Sequence, residues 1–358
     1  MPSLKEIKGR INSISSTLAI TSAMKMVASA KLQKAQMAIQ NMLPYERRLY
    51  SMLLDLMGAM NISAAASEEG SVRGSGSAER GFDQSGDRLS LSNRHDLAGM
   101  DGAYSLMAQR EVRKVAIVAF ASNSSLCGAF NSNAIREATA VINEYRASGL
   151  GDADITVYSV GRKMAEAMKK LGFPSPADFT KMSDSPSYEA ASALAQELLD
   201  GFVSGRFDKV ELVYNHYKST SSQPTTRQTY LPLSLADATA DIQVGKITDS
   251  ASESDTNRGA ESVGAPVVRQ GSPTTEDLIV EPSKEALIAT LLPKVVRLRV
   301  FTTLLDSTAA EQAARTVAMQ LATDNGNDLL QELTLEYNKG RQQKITSEIL
   351  DLVGGSMQ

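Results

Sequence analysis

Cysteine and histidine are nearly missing from this chain. It holds one cysteine, Cys127, and two histidines, His95 and His216, in 358 residues. A single cysteine closes no disulfide within the chain, so no oxidised framework holds the fold. Three such residues are also too few for an ordinary Cys/His zinc site. A Ser-His-Asp triad would have to be built on one of the two histidines. Tryptophan is absent and aromatics make up 5%. Alanine, leucine, serine and methionine are plentiful instead, which suits long helices better than a β-rich body. The longest apolar runs, such as residues 115–121, fall far short of the ~20 residues of a membrane span. Charges begin at Lys5 with no apolar stretch behind them, so no signal peptide is expected. Lys and Arg number 37 against 41 Asp and Glu, a net charge of −4. That balance gives no overall attraction to nucleic acid.

What is present begins with a helix. Pro2 and Pro44 bracket a stretch without proline, and Gly9 is the only glycine before Gly58. Apolar residues fall at Leu4, Ile7, Ile11, Ile14 and Leu18, the three-four alternation of a coiled-coil seam. The register resumes at Ala28, Leu32, Ala35, Ile39 and Met42, then at Leu49, Leu53, Leu56 and Met60. Thr21 and Lys25 interrupt it, and Pro44 is expected to bend it. The expected helix covers residues 1–60. A second helical block covers 282–358, its helix running from Lys294 with no further proline. Its seam reads Val296, Leu298, Val300, Leu304 and Leu305, then Val317, Leu321, Leu330, Leu333 and Tyr337, then Ile345, Ile349 and Leu352. Thr308-Ala-Ala-Glu311 has the form of a capping box and so of a break. The absence of Pro and Gly nearby favours continuity. Gly326 and Gly340 are expected to weaken the middle slightly. A lone helix with so narrow an apolar stripe is marginal, so the two ends are expected to pair as an antiparallel coiled coil.

Residues 61–110 are rich in Ser, Gly, Glu and Arg. They bury too little apolar surface to offset their ordering entropy, so a polar, disordered insert is expected. Residues 236–281 hold nine Asp/Glu and three Lys/Arg and read as a second, acidic, low-complexity insert. Between them the period switches. Residues 114–121, 155–160, 209–216 and 226–233 read as strands, the last as an antiparallel edge. Residues 131–148, 162–171 and 187–203 read as helices. Strand–helix alternation over 111–235 implies a small α/β domain with helices on both faces. The fold class is therefore α/β, a small domain carrying a long antiparallel coiled coil.

Few residues offer chemistry. The segment from Ala121 to Asn131 lies where α/β sheets bind ligands, but it has neither Gly-x-Gly-x-x-Gly nor a P-loop. Cys127 is either a packed residue of a tight turn or a nucleophile, and no histidine is near it in sequence. His216 ends an alternating strand and reads as a sheet-end residue. The first 50 residues hold eight Lys/Arg and two Glu. Lys25, Lys31, Lys34, Arg47 and Arg48 form either a solvated face or an electrostatic contact with acidic loops of a partner. Met24, Met26 and Met37 are either core or a soft sliding surface, with spacing alone favouring core. No catalytic, cofactor-binding or metal-binding residue is assigned, and no cofactor is expected.

Three motifs carry a resemblance. They are Thr21-Ser-Ala-Met-Lys-Met-Val-Ala-Ser-Ala-Lys31, Leu126-Cys-Gly-Ala-Phe-Asn-Ser-Asn133, and the C-terminal run. The last comprises Ala313-Ala-Arg-Thr-Val-Ala-Met319, Ala322-Thr-Asp-Asn325 and Leu335-x-Tyr-Asn-Lys-x-Arg-Gln-x-x-Ile-Thr-x-Glu-Ile349. Together they resemble the γ subunits of F-type ATP synthases, the rotor shaft of the F1 sector. The resemblance implies a Rossmann-like α/β domain below a shaft enclosed by the α3β3 hexamer, with the ε subunit and the membrane c-ring as further partners. It implies a non-catalytic subunit that transmits rotation of the ring to the catalytic β subunits, coupling proton flow to ATP synthesis. It implies a peripheral place on the cytoplasmic face of the bacterial inner membrane, with no membrane insertion and no nucleic acid. By similarity Met24, Lys25, Arg341, Gln342, Thr346 and Glu348 meet the α and β loops, and Glu281 faces the ring and ε. Ser356 stands where the family usually has Ala. Ser124 and Ser125 replace Arg-Gly, and Val280 replaces an aromatic. Both inserts lack cysteine, which excludes the thiol control of some photosynthetic members. The rival readings are a coiled-coil adaptor with a nucleotide-binding α/β domain and a basic adaptor for nucleic acid.

Overall fold

The computed structural model describes residues 3–69, 106–107, 110–233, 281 and 283–356. Helix α1 spans Leu4–Glu69, followed by β1 (Val115–Phe120), α2 (Phe130–Ala147), β2 (Ile155–Val160), α3 (Arg162–Lys170), α4 (Thr180–Asp184), α5 (Tyr188–Val203), β3 (Lys209–Asn215), β4 (Thr225–Leu231) and α6 (Lys284–Ser356). Helix α1 runs nine residues into the stretch assigned to a polar insert. Helix α6 begins ten residues before the expected Lys294 and passes through Pro293. It is unbroken at Thr308, whose hydroxyl donates back to the Leu304 carbonyl at 2.8 Å. The rest of both inserts, apart from Leu106, Met107, Arg110 and Glu281, lies outside the described residues.

The two long helices pair antiparallel. Leu4 lies against Gly340 and Leu18 against Gly326, and the Thr21 and Thr323 hydroxyls share a hydrogen bond of 3.1 Å. The facing numbers sum to 344 at each of these levels. Further along, Leu32 and Ala35 meet Ala309 and Ala313, then Leu49 and Tyr50 meet Val295 and Leu298. Thr21, which interrupts the apolar seam, is thus answered by a second threonine.

The glycines of α6 correct the sequence reading. The inward positions run Met319, Thr323, Gly326, Leu330, Leu333, Tyr337 and Gly340, alternating four and three, and all are buried or half-buried. A Cβ at Gly326 would stand 2.6 Å from Leu18 Cδ2, so this glycine is a hole for a leucine knob rather than a weak point. Leu321, read as seam, is exposed. So are Ile345, Ile349 and Leu352, because α1 begins at the level of Gly340 and nothing of it lies opposite them.

The sheet has the order β2-β1-β3-β4, with β1 parallel to both neighbours and β4 antiparallel to β3. Strand β1 is buried on both faces, as its unbroken apolar run requires. Ala116, Val118 and Phe120 join one core with α5 and with Ile288, Leu292, Val296, Val300 and Leu304 of α6. Val115, Ile117 and Ala119 join the other with α2 and α3. More than a quarter of the main core is thus the lower shaft itself, and the domain is built onto the coiled coil.

Candidate functional site

In a doubly covered sheet the ligand crevice lies beyond the strand ends, where the chain leaves one strand for either neighbour. Here that place is β1, between β2 and β3. Asn123 Oδ1 accepts the Arg162 amide at 2.8 Å, and the Ser122 carbonyl accepts the Lys163 amide at 3.1 Å. These are first-turn amides of α3, the donors a phosphate would need. Asn123 Nδ2 donates to the Thr180 carbonyl at 2.7 Å. Gly161, at φ 96°, approaches so closely that a Cβ there would fall 2.0 Å from the Ala121 carbonyl oxygen. The crevice is filled by the chain's own atoms.

Cys127 is 1% exposed, packed on Phe130 and Ala310 of α6. Asn131 Nδ2 donates toward its sulfur at 3.1 Å, and Asn131 Oδ1 accepts the Ser122 amide at 3.0 Å. The turn also holds Leu126 at φ 67° with its side chain exposed. This is a packed cysteine in a tight turn. His216 lies at the end of β3, with Nδ1 2.6 Å from Asp306 Oδ2. A groove of about 700 Å³ runs between α1, the β3–β4 sheet edge and α6, lined by Gln36, Met42, Tyr50, Tyr217, Arg299 and Asp306. Two of its charged residues are engaged with neighbours: Arg299 donates to the Tyr50 hydroxyl at 2.9 Å, and Glu46 accepts from Thr302 at 3.1 Å. Among the described residues no group of His, Cys, Asp and Glu is arranged to hold a metal ion.

The densest charge cluster among the described residues is architectural, and sequence reading missed it. Glu211 of β3 has a side chain 2% exposed. It accepts from Tyr145 at 2.6 Å, Lys209 at 2.7 Å and Arg227 at 2.7 and 3.1 Å. Arg227 also pairs with Glu144. Burial pushes the Glu211 carboxyl up, but the hydrogen bonds from Arg227, Lys209 and Tyr145 outweigh it and hold the carboxyl below its ordinary value. The available signal was the Lys209–Glu211 spacing, which puts opposite charges on one strand face.

The residues expected at partner loops fall at separate heights on the shaft. Met24 and Lys25 are half-buried in α1 near the level of Thr21 and Thr323. Arg341, Gln342, Thr346 and Glu348 are all exposed on the last turns of α6. The two groups lie about 30 Å apart, at 1.5 Å per residue. Within the second, Arg341 and Glu348 share one helix face, and Gln342 and Thr346 share the adjoining one. The Thr346 hydroxyl donates to the Gln342 carbonyl at 2.9 Å, and Glu348 lies 3.7 Å from Lys344. Glu281 is exposed just before α6, at the opposite end. The structure therefore gathers these residues into no single site. Met26 and Met37, where spacing favoured core, are exposed beside the exposed Lys31 and Lys34.

A family model described as ATP synthase matches residues 3–357. The ATP synthase gamma chain of Phocaeicola vulgatus is 47% identical over 357 residues, covering 100% of both chains. That of Bacteroides thetaiotaomicron is 45% identical over 358 residues, again covering 100% of both. Among solved structures, a chain of the Euglena gracilis mitochondrial ATP synthase (OSCP/F1/c-ring) superposes with a TM-score of 0.54 at 19% identity. That match covers 99% of this chain and 93% of the other. A second Euglena gracilis structure, of the rotor, gives 0.51 at 19% identity over 96% and 98%. With a family model matched across the chain and relatives alike over their whole length, the chain belongs to the ATP synthase gamma chain family.

Proposed function

We propose that this chain is the central shaft of an F-type ATP synthase, turning inside an α3β3 hexamer and seated on ε and the membrane c-ring. The observation that carries the reading is a two-helix rod built onto a small α/β domain whose ligand crevice is already filled. Such a body transmits and does not catalyse. Its work is differential contact: each rotational position offers the β subunits a different face, and the face in contact favours one of their states. The catalytic chemistry belongs to the β subunits and the chain itself is non-catalytic. It is peripheral to the membrane, on the cytoplasmic face of the bacterial inner membrane, and among the described residues no helix is long and apolar enough to cross a bilayer. Met24 and Lys25 meet partner loops at the waist of the shaft, and Arg341, Gln342, Thr346 and Glu348 meet them at its free end. Glu281 faces the ring.

Arg341 and Gln342 give the sharpest test, since a guanidinium and an amide suit carboxylates and carbonyls of a partner loop. Such bonds are worth about 1.5–3 kcal/mol, too little to hold a large complex alone. Purified complex carrying Arg341→Ala and Gln342→Ala is expected to contain every subunit and to hydrolyse ATP several-fold more slowly. Wild-type turnover and proton pumping would refute the gripping role.

A further inference from the structure

The level at which the α/β domain releases the shaft has a mechanical meaning. Low on α6, Val296, Val300 and Leu304 lie in the sheet's own core. Higher up, two loops from the strand ends take hold. The turn after β1 places Cys127 and Phe130 on Ala310. The Ser125 carbonyl of that turn accepts Arg315 Nη1 at 2.8 Å, and Arg315 Nη2 donates to Glu311 at 2.5 Å. Both of these charged side chains are only 10% exposed. The loop after β3 places Tyr217 between the same turn and the α1–α6 layer of Leu32, Ala35, Ala309 and Ala313. Its hydroxyl accepts Gln36 Nε2 at 2.6 Å, and its amide donates to Asp306 at 2.9 Å. Gly128 of the turn faces Ala318, whose Cβ would stand 3.8 Å from a Cβ at the glycine. Among the described residues no hydrogen bond joins the domain to α6 beyond Arg315.

We propose that Arg315, oriented by Glu311 and bound to the Ser125 carbonyl, is the torque key of the shaft, fixing the height at which rotation of the α/β domain enters the coiled coil. The proposal rests on the shaft reading above. Arg315 and Glu311 are positioning residues in it. The bond to Ser125 crosses from the domain to α6, while the bond to Glu311, within α6, holds the guanidinium in place. A directional bond so fixed resists rotation of α6 about its axis in a way that apolar contact with Ala310 does not, since apolar attraction is non-directional. With the key engaged, the free part of α6 runs from Ala318 to Ser356, about 57 Å at 1.5 Å per residue. With it released, the last directional grip is that of the Tyr217 amide on Asp306, and the free part lengthens to about 75 Å. The compliance of a uniform rod grows with its length, so twist under a given torque rises about 1.3-fold.

The test uses the assembled complex with the hexamer immobilised, stalled with nucleotide, and a bead on the α/β domain. The angular variance of the bead reads shaft compliance. Glu311→Met with Arg315→Met removes the bonds while keeping volume, and replacing a buried ion pair in this way is often tolerated. Arg315→Lys keeps a positive charge beside Glu311 but loses the planar fork that reaches Ser125. Both are expected to raise the variance about 1.3-fold with subunit composition unchanged. Unchanged variance in both overturns the key, as does a lower melting temperature with unchanged variance, which assigns Arg315 to stability alone. If the double variant does not assemble, Arg315→Lys decides by the same measure. The same wild-type complex is supplied with ATP before it is stalled, and a bead that never rotates then overturns the shaft reading itself, and the key with it.

Discussion

Replacing Glu211 by glutamine changes one charge and almost no volume. The carboxylate accepts from Tyr145, Lys209 and Arg227, so three donor residues, Arg227 through two bonds, lose their ionic partner. A bond to a charged group is worth about 1.5–3 kcal/mol and a neutral one about 0.5–1.5, a loss near 1 kcal/mol for each. The side chains of Lys209 and Arg227 are each 26% exposed, so water recovers part of their solvation and the cost stays at the lower end of the range for breaking a buried pair. About 3 kcal/mol is expected. The two long helices dominate any helical signal, so the assay is amide exchange in β1, which is buried on both faces and reads opening of the domain. Protection there is expected to fall about 100-fold, each 1.4 kcal/mol being tenfold. The effect also has a pH signature. The folded carboxyl is held below its ordinary value of 4.5, so its stabilisation is present above that value and is lost as pH falls further, through the folded value. The gap between wild type and variant should therefore close at acid pH. A fall of less than fivefold at neutral pH, or a gap that persists in acid, would refute this account.

Two further outcomes test the shaft. Gly326→Ala should be close to neutral in the wild-type chain, because the helix-propensity gain of about 1 kcal/mol is cancelled by the push on Leu18. In a Leu18→Ala background it should stabilise by about that amount, and additive effects in urea unfolding would show that the two residues are not in contact. Ile345→Asp, at a position 47% exposed, should cost less than about 0.5 kcal/mol in the isolated chain, whereas Leu333→Asp should cost several kcal/mol. Equal midpoints for these two variants would place the seam wrongly.

The long helices were legible because their seams are long and periodic, and β1 because a β-branched apolar run needs cover on both faces. Helix α5 was legible to within a residue, since Ser187 caps it through the Ala190 amide. The start of α6 was not, because Pro293 reads as a boundary, and only packing of Ile288 and Leu292 into the main core keeps the helix continuous through it. The short helix α4 has five residues, too few to show a period. Gly326 and Gly340 were misjudged because their value lies in the leucine on the other helix, a contact some three hundred residues away in sequence. Of the expected partner residues, charge and spacing singled out only Met24 and Lys25, and the rest came from the resemblance alone. The exposure of Ile345 came from where α1 begins, which no local pattern in α6 encodes.

The constant sum of facing residue numbers makes the shaft a phase-keeping device. Each residue of an α-helix turns the chain by about 100° and advances it by about 1.5 Å. One residue inserted in α6 between Ala318 and Gly326 would therefore rotate everything beyond it by about 100° against the sheet, while lengthening the rod by less than the width of an atom. Seven residues inserted at matching heights in both helices would add about 10 Å and shift the angle by only about 20°. Height is thus negotiable in steps of seven, and angle is not. A shaft whose faces must meet their stations in order is indexed by residue count, and an insertion that looks harmless in length is a mistimed camshaft.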